Sequence, residues 1–360
     1  MSSKKTTVKE IARLAGVSIG TVDRVLHGRE GVSSATRRRV ESIIEGSGFR
    51  PNALARQLSL GKTYLFRALL PRADQDSGYW GACRRGIELA ARHLALYGAR
   101  VAVEEFDRYD EGAYARLLAP GAAPEADGLL VAPVMPELLR PALGRLGGRA
   151  PYAFFDGVAP GCSPLFAITQ DALAAGRAAA RMLDLLAPGE GPVAVIDPYP
   201  EERHIALRVE GFRSYFRERP GSRRRAVERA CPRFESPERS SACLESLLAE
   251  EPGLAGILVA NAAGHVAGRW LRREGRKEGC ALVSWDLVPA NASALRSGEL
   301  DCVISQRPFM QARDAMERLY RAVVHGAEDG ESAGAPIDAP IVLYLRENLP
   351  SGDEGGWEGR

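Results

Sequence analysis

Polar residues that could bind a hydroxylated ligand follow short apolar runs in the second part of the chain. They are Asp107, Asp156, Asn261, Asp286 and Gln306. Carboxylates accept hydrogen bonds from hydroxyl groups, and amide side chains both donate and accept them. Because ligands of open parallel sheets bind beyond the carboxyl ends of the strands, these positions predict a site for a small polar molecule.

The elements that would position these residues alternate between strand and helix. The predicted strands are 64–70, 100–106, 128–132, 152–155, 193–196, 256–259, 281–285, 301–304 and 341–345. The predicted helices between them include 81–97, 173–186, 205–217, 263–273 and 310–324. This alternation predicts an α/β body with doubly wound parallel sheets in two lobes.

The N-terminal part of the chain has a different charge balance from the body. Residues 1–62 contain twelve Lys/Arg and five Asp/Glu, a net charge of +7. The other residues contain 36 basic and 41 acidic side chains, a net charge of −5. A small basic segment on a mildly acidic body is typical of a phosphate-binding module joined to a separate domain.

The basic segment has the pattern of three short helices. Thr7 and Glu10 form a capping box for the first helix, which Gly16 ends. Ser18 can cap a second helix over 19–26, and a third helix opens at 32–33. Two short helices joined by a tight turn predict a helix-turn-helix, whose second helix enters the major groove of DNA.

The stretch TVKEIARLAGVSIGTVDRVLHGREGVSSATRRRVESIIEGSGFRPNALARQL resembles the DNA-binding head and hinge of the lactose-repressor (LacI) family. The resemblance implies that Ile19, Gly20 and Arg24 meet base edges. An alternative for Arg24 is a phosphate contact or an ion pair on the helix surface. The other DNA-contacting positions implied in the head are Thr7, Ser18, Thr21 and His27.

The hinge that follows contains a short helical pattern, which Asn52 could cap. A helix this short has marginal stability in isolation, and we therefore expect it to form when the protein binds DNA. The resemblance implies that two such helices of a dimer enter the minor groove, where Asn52, Ala55 and Arg56 contact DNA and Leu58 wedges between base pairs. The alternative is that Leu58 packs on its own domain.

The body resembles the two-lobed periplasmic sugar-binding proteins of the ribose type, in the stretches SGYWGACRRGIELAA, RVEGF, VSWD and ISQRPFMQARDAM. The resemblance implies that Arg208 and Asp286 clamp sugar hydroxyls. Asp156, Asn261 and Gln306 would complete a polar ring, with Tyr79 and Trp80 stacked on the sugar. Alternatives remain open for each of these residues: the aspartates could cap helices, the aromatic rings could belong to the core, and Gln306 could make a backbone contact between the lobes. The ligand could also be a nucleobase or another non-sugar metabolite.

These patterns predict a helix-turn-helix domain at 1–49, a hinge at 50–62, an effector-binding and dimerisation domain at 63–350 and a disordered tail at 351–360. Lobe 1 would comprise 63–169 and 307–325, and lobe 2 would comprise 170–304 and 336–350. The expected protein is a homodimeric regulator, more specifically a repressor. It would bind a near-palindromic double-stranded operator and a small sugar-like effector.

Other classes of protein are disfavoured by the sequence. It has no H-E-x-x-H or G-x-x-x-x-G-K-[ST] motif and no apolar run long enough to span a membrane. Its six cysteines are scattered. We therefore expect a cytoplasmic protein that is not an enzyme and has no cofactor or metal. A sugar-modifying enzyme fused to a DNA-binding head is the alternative. Residues 201–204 and 223–225 are predicted to be exposed segments.

Overall fold

A computed structural model describes residues 8–26, 31–47, 63–119, 121, 125–146, 150–218, 224–326 and 336–350. The chain divides into two compact units, Met1–Lys62 and Thr63–Arg360. The predictions for the hinge at 50–62 and the tail at 351–360 lie outside the described residues.

The described part of the first unit contains the three predicted helices, α1 (Val8–Ala15), α2 (Ile19–Leu26) and α3 (Ser34–Ser47). Their shared core comprises Ile11, Ala12, Ala15, Val22, Val25 and Val40. Gly16 has a φ of +64°, a conformation that glycine adopts without steric cost. The Ser18 hydroxyl accepts a 3.1 Å hydrogen bond from the Thr21 amide, which makes Ser18 the cap of α2.

The second unit alternates strands and helices. In chain order it contains β1 (Tyr64–Pro71), α4 (Tyr79–Ala95), β2 (Ala99–Phe106), α5 (Glu111–Leu117), β3 (Gly128–Val131), α6 (Pro136–Leu146), β4 (Tyr152–Phe155), β5 (Ala167–Gln170), α7 (Ala172–Leu186), β6 (Val193–Asp197), α8 (Arg203–Glu218), β7 (Ala226–Ala230), α9 (Pro237–Glu250), β8 (Gly256–Val259), α10 (Gly264–Arg273), β9 (Ala281–Trp285), α11 (Pro289–Arg296), β10 (Cys302–Ser305), α12 (Pro308–His325), β11 (Pro336–Ala339) and β12 (Val342–Tyr344). Short 3₁₀ turns lie at Asp76–Gly78, Lys277–Gly279 and Arg346–Asn348.

Two six-stranded sheets form the two lobes. The first has the order β11-β5-β4-β3-β1-β2, and its pairings are all parallel. The second has the order β12-β10-β9-β8-β6-β7, in which β12, alone among the described strands, runs antiparallel to its neighbour. The predicted α/β fold with doubly wound parallel sheets is confirmed. The chain passes between the lobes from β5 to α7, from β10 to α12, and from β11 to β12.

The predicted lobe boundaries need one correction. Residues 336–350 were assigned as a whole to lobe 2, but β11 pairs with β5 in the first sheet. Of this segment, β12 and the residues after it belong to the second lobe. The chain therefore returns to lobe 1 before it enters lobe 2 again, and this return supplies the third connection.

The prediction that residues 223–225 form a solvated turn is wrong for Arg224. Its side chain is 10% exposed and forms a 3.0 Å ion pair with Asp184. The guanidinium also donates to the carbonyl oxygens of Ala187, Gly189 and Gly191, so it fixes the loop after α7. No local pattern reports this contact, because the partners lie more than 30 residues away.

Two glycines allow α7 and α8 to cross in close contact. A Cβ atom at Gly176 would lie 2.1 Å from the carbonyl oxygen of Arg208, and one at Gly211 would lie 2.2 Å from that of Leu173. These distances are well below van der Waals contact. The crossing therefore sets the position of α8, which carries Arg208.

We expect Gly176→Ala to lower the free energy of unfolding by about 1–3 kcal/mol or more, because the new methyl group must push α8 away. Denaturant unfolding of the purified chain measures this change. Gly144→Ala is the control, since a Cβ atom at Gly144 would have no described heavy atom within 4 Å. There we expect no loss, and a gain of up to about 1 kcal/mol from helix propensity. Equal effects of the two changes would contradict the close crossing.

Candidate functional site

The carboxyl ends of the parallel strands from both sheets meet in a cleft between the lobes. All of the ligand-binding side chains that the resemblance implies for the body line this cleft: Tyr79, Trp80, Asp156, Arg208, Asn261, Asp286 and Gln306. Asp76, Arg108, Tyr199, Glu202 and His204 line it with them. The cleft adjoins a wider opening of about 450 Å³ on the side of β4 and β5.

Gln306 joins the two lobes at the centre of the cleft. Its Nε2 atom lies 3.1 Å from Oδ1 of Asp156 in lobe 1 and 3.4 Å from Oδ2 of Asp286 in lobe 2. The Gln306 backbone amide also donates to Asp286, at 3.1 Å. The Tyr79 hydroxyl donates to Asp156 at 2.6 Å. The polar groups of the cleft are thus hydrogen-bonded to one another, and a ligand would have to replace some of these bonds.

Both aspartates have left-handed backbone conformations, with φ of +71° at Asp156 and +53° at Asp286. Aspartate is one of the few residues other than glycine that adopts this conformation readily. The Asp156 amide donates to the Ile168 carbonyl and to Oε1 of Gln311, at 3.0 and 2.6 Å. These bonds hold the turn after β4, so that the carboxylate lies in the cleft rather than at a helix cap.

Arg208 lies at the base of the cleft and is 2% exposed. Its guanidinium carbon is 4.5 Å from the centre of the Trp285 ring, and Nη1 donates to the Ala260 carbonyl at 2.9 Å. The Nε atom is buried and has no hydrogen-bond partner among the described residues. A buried donor without a partner is costly. A ligand acceptor in the cleft could supply that partner.

The aromatic and amide side chains serve the core as well as the cleft. Trp80 is 1% exposed, packs against Tyr79 and Phe155, and donates from Nε1 to Asp76 at 2.5 Å. Asn261 accepts from the Ala263 amide at 3.0 Å. Asp107, also a candidate from the sequence, is not among the residues that line the cleft. It accepts from the Gln75 side chain and the Tyr109 amide, and so it holds its own turn.

A second group of polar residues, which sequence reasoning missed, also joins the lobes. Arg108 forms ion pairs with Asp76 of its own lobe and with Glu202 of lobe 2. The Tyr199 hydroxyl donates to Asp76 at 2.7 Å across the cleft. The prediction that residues 201–204 form an exposed loop is wrong for Glu202, whose side chain is 9% exposed, and for His204, at 22%. Burial lowers the pKa of His204 well below its usual range, so this imidazole is neutral.

Glu235 lies beside this group on the side of lobe 2. It lies 3.3 Å from both the Tyr199 hydroxyl and the Asn261 amide nitrogen. Burial, reinforced by the charge of Asp76, raises the pKa of Glu235 from 4.5 to about 7. The single proton of the Tyr199 hydroxyl serves Asp76, and a protonated Glu235 can donate to the same hydroxyl oxygen.

We expect Glu235→Gln to remove a pH-dependent loss of stability. The folded chain holds a proton on Glu235 that the unfolded chain has released between about pH 4.5 and 7, so the free energy of unfolding falls as pH rises through this range. The expected fall is on the order of a few kcal/mol. Denaturant unfolding at pH 5 and pH 8 would measure it. The exposed Glu245 provides a control, and Glu245→Gln should leave the wild-type pH profile unchanged.

The described residues of the first unit that were predicted to contact DNA lie on or next to α2. Ile19 is 53% exposed, and Ser18, Gly20 and Arg24 are also exposed. Thr21 is half-buried, and its hydroxyl lies 2.9 Å from that of Ser18. The exposed Arg24 guanidinium and the apolar Ile19 side chain of this surface could contact another molecule. The predictions for the other head and hinge positions lie outside the described residues: Thr7, His27, Asn52, Ala55, Arg56 and Leu58.

Comparisons with known families agree with this division of the chain. Residues 68–328 match the model of the periplasmic binding protein domain, and residues 7–52 match that of the bacterial regulatory proteins of the lacI family. The fold and the cleft thus define a two-lobed binding protein with a helix-turn-helix head. The chain belongs to the family of periplasmic binding protein domains and has an N-terminal domain of the lacI family of bacterial regulatory proteins.

Two bacterial regulators are similar to part of the chain. It is 39% identical to the HTH-type transcriptional regulator PtxS of Pseudomonas putida over 109 residues, which are 30% of this chain and 31% of that one. It is 40% identical to the catabolite control protein A of Priestia megaterium over 82 residues, 23% of this chain and 24% of that one. The matches thus span about a third of these relatives, or less.

Solved structures share the fold of the body at low sequence identity. One is a solute-binding protein of an ABC transporter from Burkholderia graminis, solved in complex with D-arabinose. Its TM-score is 0.70 and its sequence identity is 17%, and the superposition covers 81% of this chain and 98% of that one. Another is a sugar-binding protein of an ABC transporter from Bacillus halodurans. Its TM-score is 0.67 and its sequence identity is 22%, and the superposition covers 79% of this chain and 98% of that one. In the part of the chain that the structure describes, no helix is long and apolar enough to cross a membrane.

Proposed function

We propose that this protein is a homodimeric, DNA-binding transcriptional regulator that acts as a repressor. Its heads bind a near-palindromic operator, and a small sugar-like effector bound between the lobes controls the affinity for that operator. The family membership of the head supports the DNA-binding part of this proposal. The cleft supports the ligand-binding part.

The observation that carries the proposal is the contact of Gln306 with carboxylates of both lobes, at 3.1 and 3.4 Å. A ligand that replaces this contact bonds to both lobes at once and changes the free-energy difference between their closed and open arrangements. The coupling to operator affinity is limited by the ligand's differential affinity for the two arrangements, typically about 1–3 kcal/mol.

Polyol chemistry fits the groups that line the cleft. Asp156 and Asp286 accept from hydroxyl groups, Arg208 and Gln306 donate to them, and the wall includes the rings of Tyr79 and Trp80. Charge-assisted hydrogen bonds inside a desolvated cleft are strong and directional. The solute-binding protein solved with D-arabinose has the same fold, which supports a carbohydrate as the first class to test.

Operator selection from genomic fragments tests the DNA-binding part. We expect wild-type protein to enrich a common near-palindromic sequence, and Arg24→Ala to lose about 1–3 kcal/mol of discrimination at one position of each half-site. Arg38→Ala on α3 is the control and should change affinity without changing the preferred sequence. Failure of wild-type protein to enrich any fragment over random competitor DNA would refute the proposal.

A further inference from the structure

The charge of the cleft is not balanced by its own residues. The inner cleft is lined by four carboxylates, Asp76, Asp156, Glu202 and Asp286, and by two guanidinium groups, Arg108 and Arg208. The wider opening adds four carboxylates and two arginines. The whole space thus has eight acids against four arginines, a formal net charge of −4, within a body of formal net charge −5.

Asp156 is a buried carboxylate with little compensation for its charge. It is 5% exposed, and it forms no ion pair within the described residues. Its Oδ1 atom accepts from two neutral donors, the Tyr79 hydroxyl and the Gln306 amide. Burial raises its pKa, although the hydrogen bond from Tyr79 and the charge of Arg208 oppose this effect. Buried charges in proteins are normally paired, so this site favours a cation from outside the chain.

The Gln306 amide nitrogen shows where such a cation would bind. Nε2 lies 3.1 Å from Asp156 and 3.4 Å from Asp286, so one nitrogen position contacts carboxylates of both lobes. An ammonium group at this position would replace a neutral donor by a charged one. Hydrogen bonds between ionised groups are roughly twice as strong as neutral ones.

Arg208 adds an independent requirement. Its Nε atom is buried in the wall of the same cleft without a partner in the described part of the chain, so the ligand must also offer an acceptor. A hydroxyl group meets this requirement, whereas a carboxylate or phosphate on the ligand would be repelled by the excess of negative charge. Ammonium and hydroxyl groups occur together in amino sugars and aminocyclitols.

We propose that the effector is a cationic polyhydroxy compound, an amino sugar or aminocyclitol, whose ammonium group binds between Asp156 and Asp286. This inference rests on the proposed function and narrows its ligand class. Neutral sugars are expected to bind more weakly, and sugar acids and sugar phosphates more weakly still.

Calorimetric titration of the full chain with matched carbohydrates tests the inference. Each of the gluco, galacto and manno scaffolds is offered as the amine, as the neutral parent sugar and as the N-acetylated amine. On the scaffold that binds, we expect the amine to bind at least tenfold tighter than its parent and acetylation to abolish this gain. Equal or tighter binding of a neutral parent would overturn the inference and leave the proposed function standing. Binding of no scaffold in any form would overturn the inference, while the operator selection described above decides the proposed function separately.

A pair of variants shows whether Asp156 is responsible. Asp156→Asn keeps the shape and tolerates the left-handed backbone, but removes the charge. It should lower the affinity for the amine at least tenfold more than the affinity for the neutral parent, so that the preference for the amine is lost. Asp338→Asn, at an exposed position of the wider opening, should keep the wild-type preference. An amine preference that persists in Asp156→Asn would refute the assigned contact.

Discussion

Asp286→Ala is expected to abolish the effector response while operator binding persists. Asp286 accepts from the backbone and side chain of Gln306 and is 2% exposed, so its carboxylate is a desolvated acceptor that the proposed ligand would share with Gln306. Loss of a charged hydrogen-bond partner costs about 1.5–3 kcal/mol, or roughly a tenfold to more than a hundredfold loss of effector affinity. The N-terminal unit, to which the proposal assigns DNA binding, is a separate compact unit, so its surface should not change.

A second variant at this position separates the loss of the carboxylate charge from backbone strain, and a variant elsewhere serves as the control. Asp286→Asn tolerates the φ of +53° better than alanine does, so it isolates the loss of charge. The exposed Asp74 supplies the control, since Asp74→Asn should change neither effector nor operator affinity. The measurement is operator affinity with and without the effector found by titration. An unchanged effector affinity in both Asp286 variants would exclude this residue from the site.

Operator affinity is expected to fall by about 10³–10⁵ between 50 and 200 mM salt if six to ten phosphates are contacted. The net charge of +7 on residues 1–62 is the physical reason, because cations that neutralise phosphates release condensed counterions from the duplex. Fluorescence anisotropy of the selected operator over a salt series gives the slope. Effector affinity, measured over the same series, should change far less. A flat operator response would rule out phosphate binding by the head.

The central strands of both sheets could be predicted from the sequence, whereas three strands at or next to a sheet edge, β5, β7 and β11, could not. All predicted strands and helices of the body are present, with ends that shift by at most two residues. β7 has two adjacent charged residues, Glu228 and Arg229, at the edge of its sheet, and β11 begins with a proline at an edge. Edge strands bury less surface and so lack the apolar runs that identify central strands. β5, with only four residues, is too short for its pattern to be distinctive.

The candidate site also has residues that the sequence predicts and residues that it does not. The rule that ligands bind beyond strand ends selected Asp156, Asn261, Asp286 and Gln306, which all line the cleft. After β2 the same rule selected Asp107, but the lining residue is its neighbour Arg108, because Asp107 bonds back to its own turn. Contacts such as that of Tyr199 with Asp76 join positions 123 residues apart, and no local pattern reports them.

The left-handed backbone at Asp156 and Asp286 restricts how this protein could acquire a new ligand. Most side chains have a steric cost at such positions, so exchange there is confined largely to asparagine and glycine. Neither replacement offers a carboxylate. A change of specificity by mutation is therefore open chiefly at wall positions with ordinary backbone, such as His204 or Ala262, while the two acidic contacts stay fixed. Descendants of this protein would be expected to diverge in the size and shape of the ligands that they bind before they diverge in the charge of those ligands.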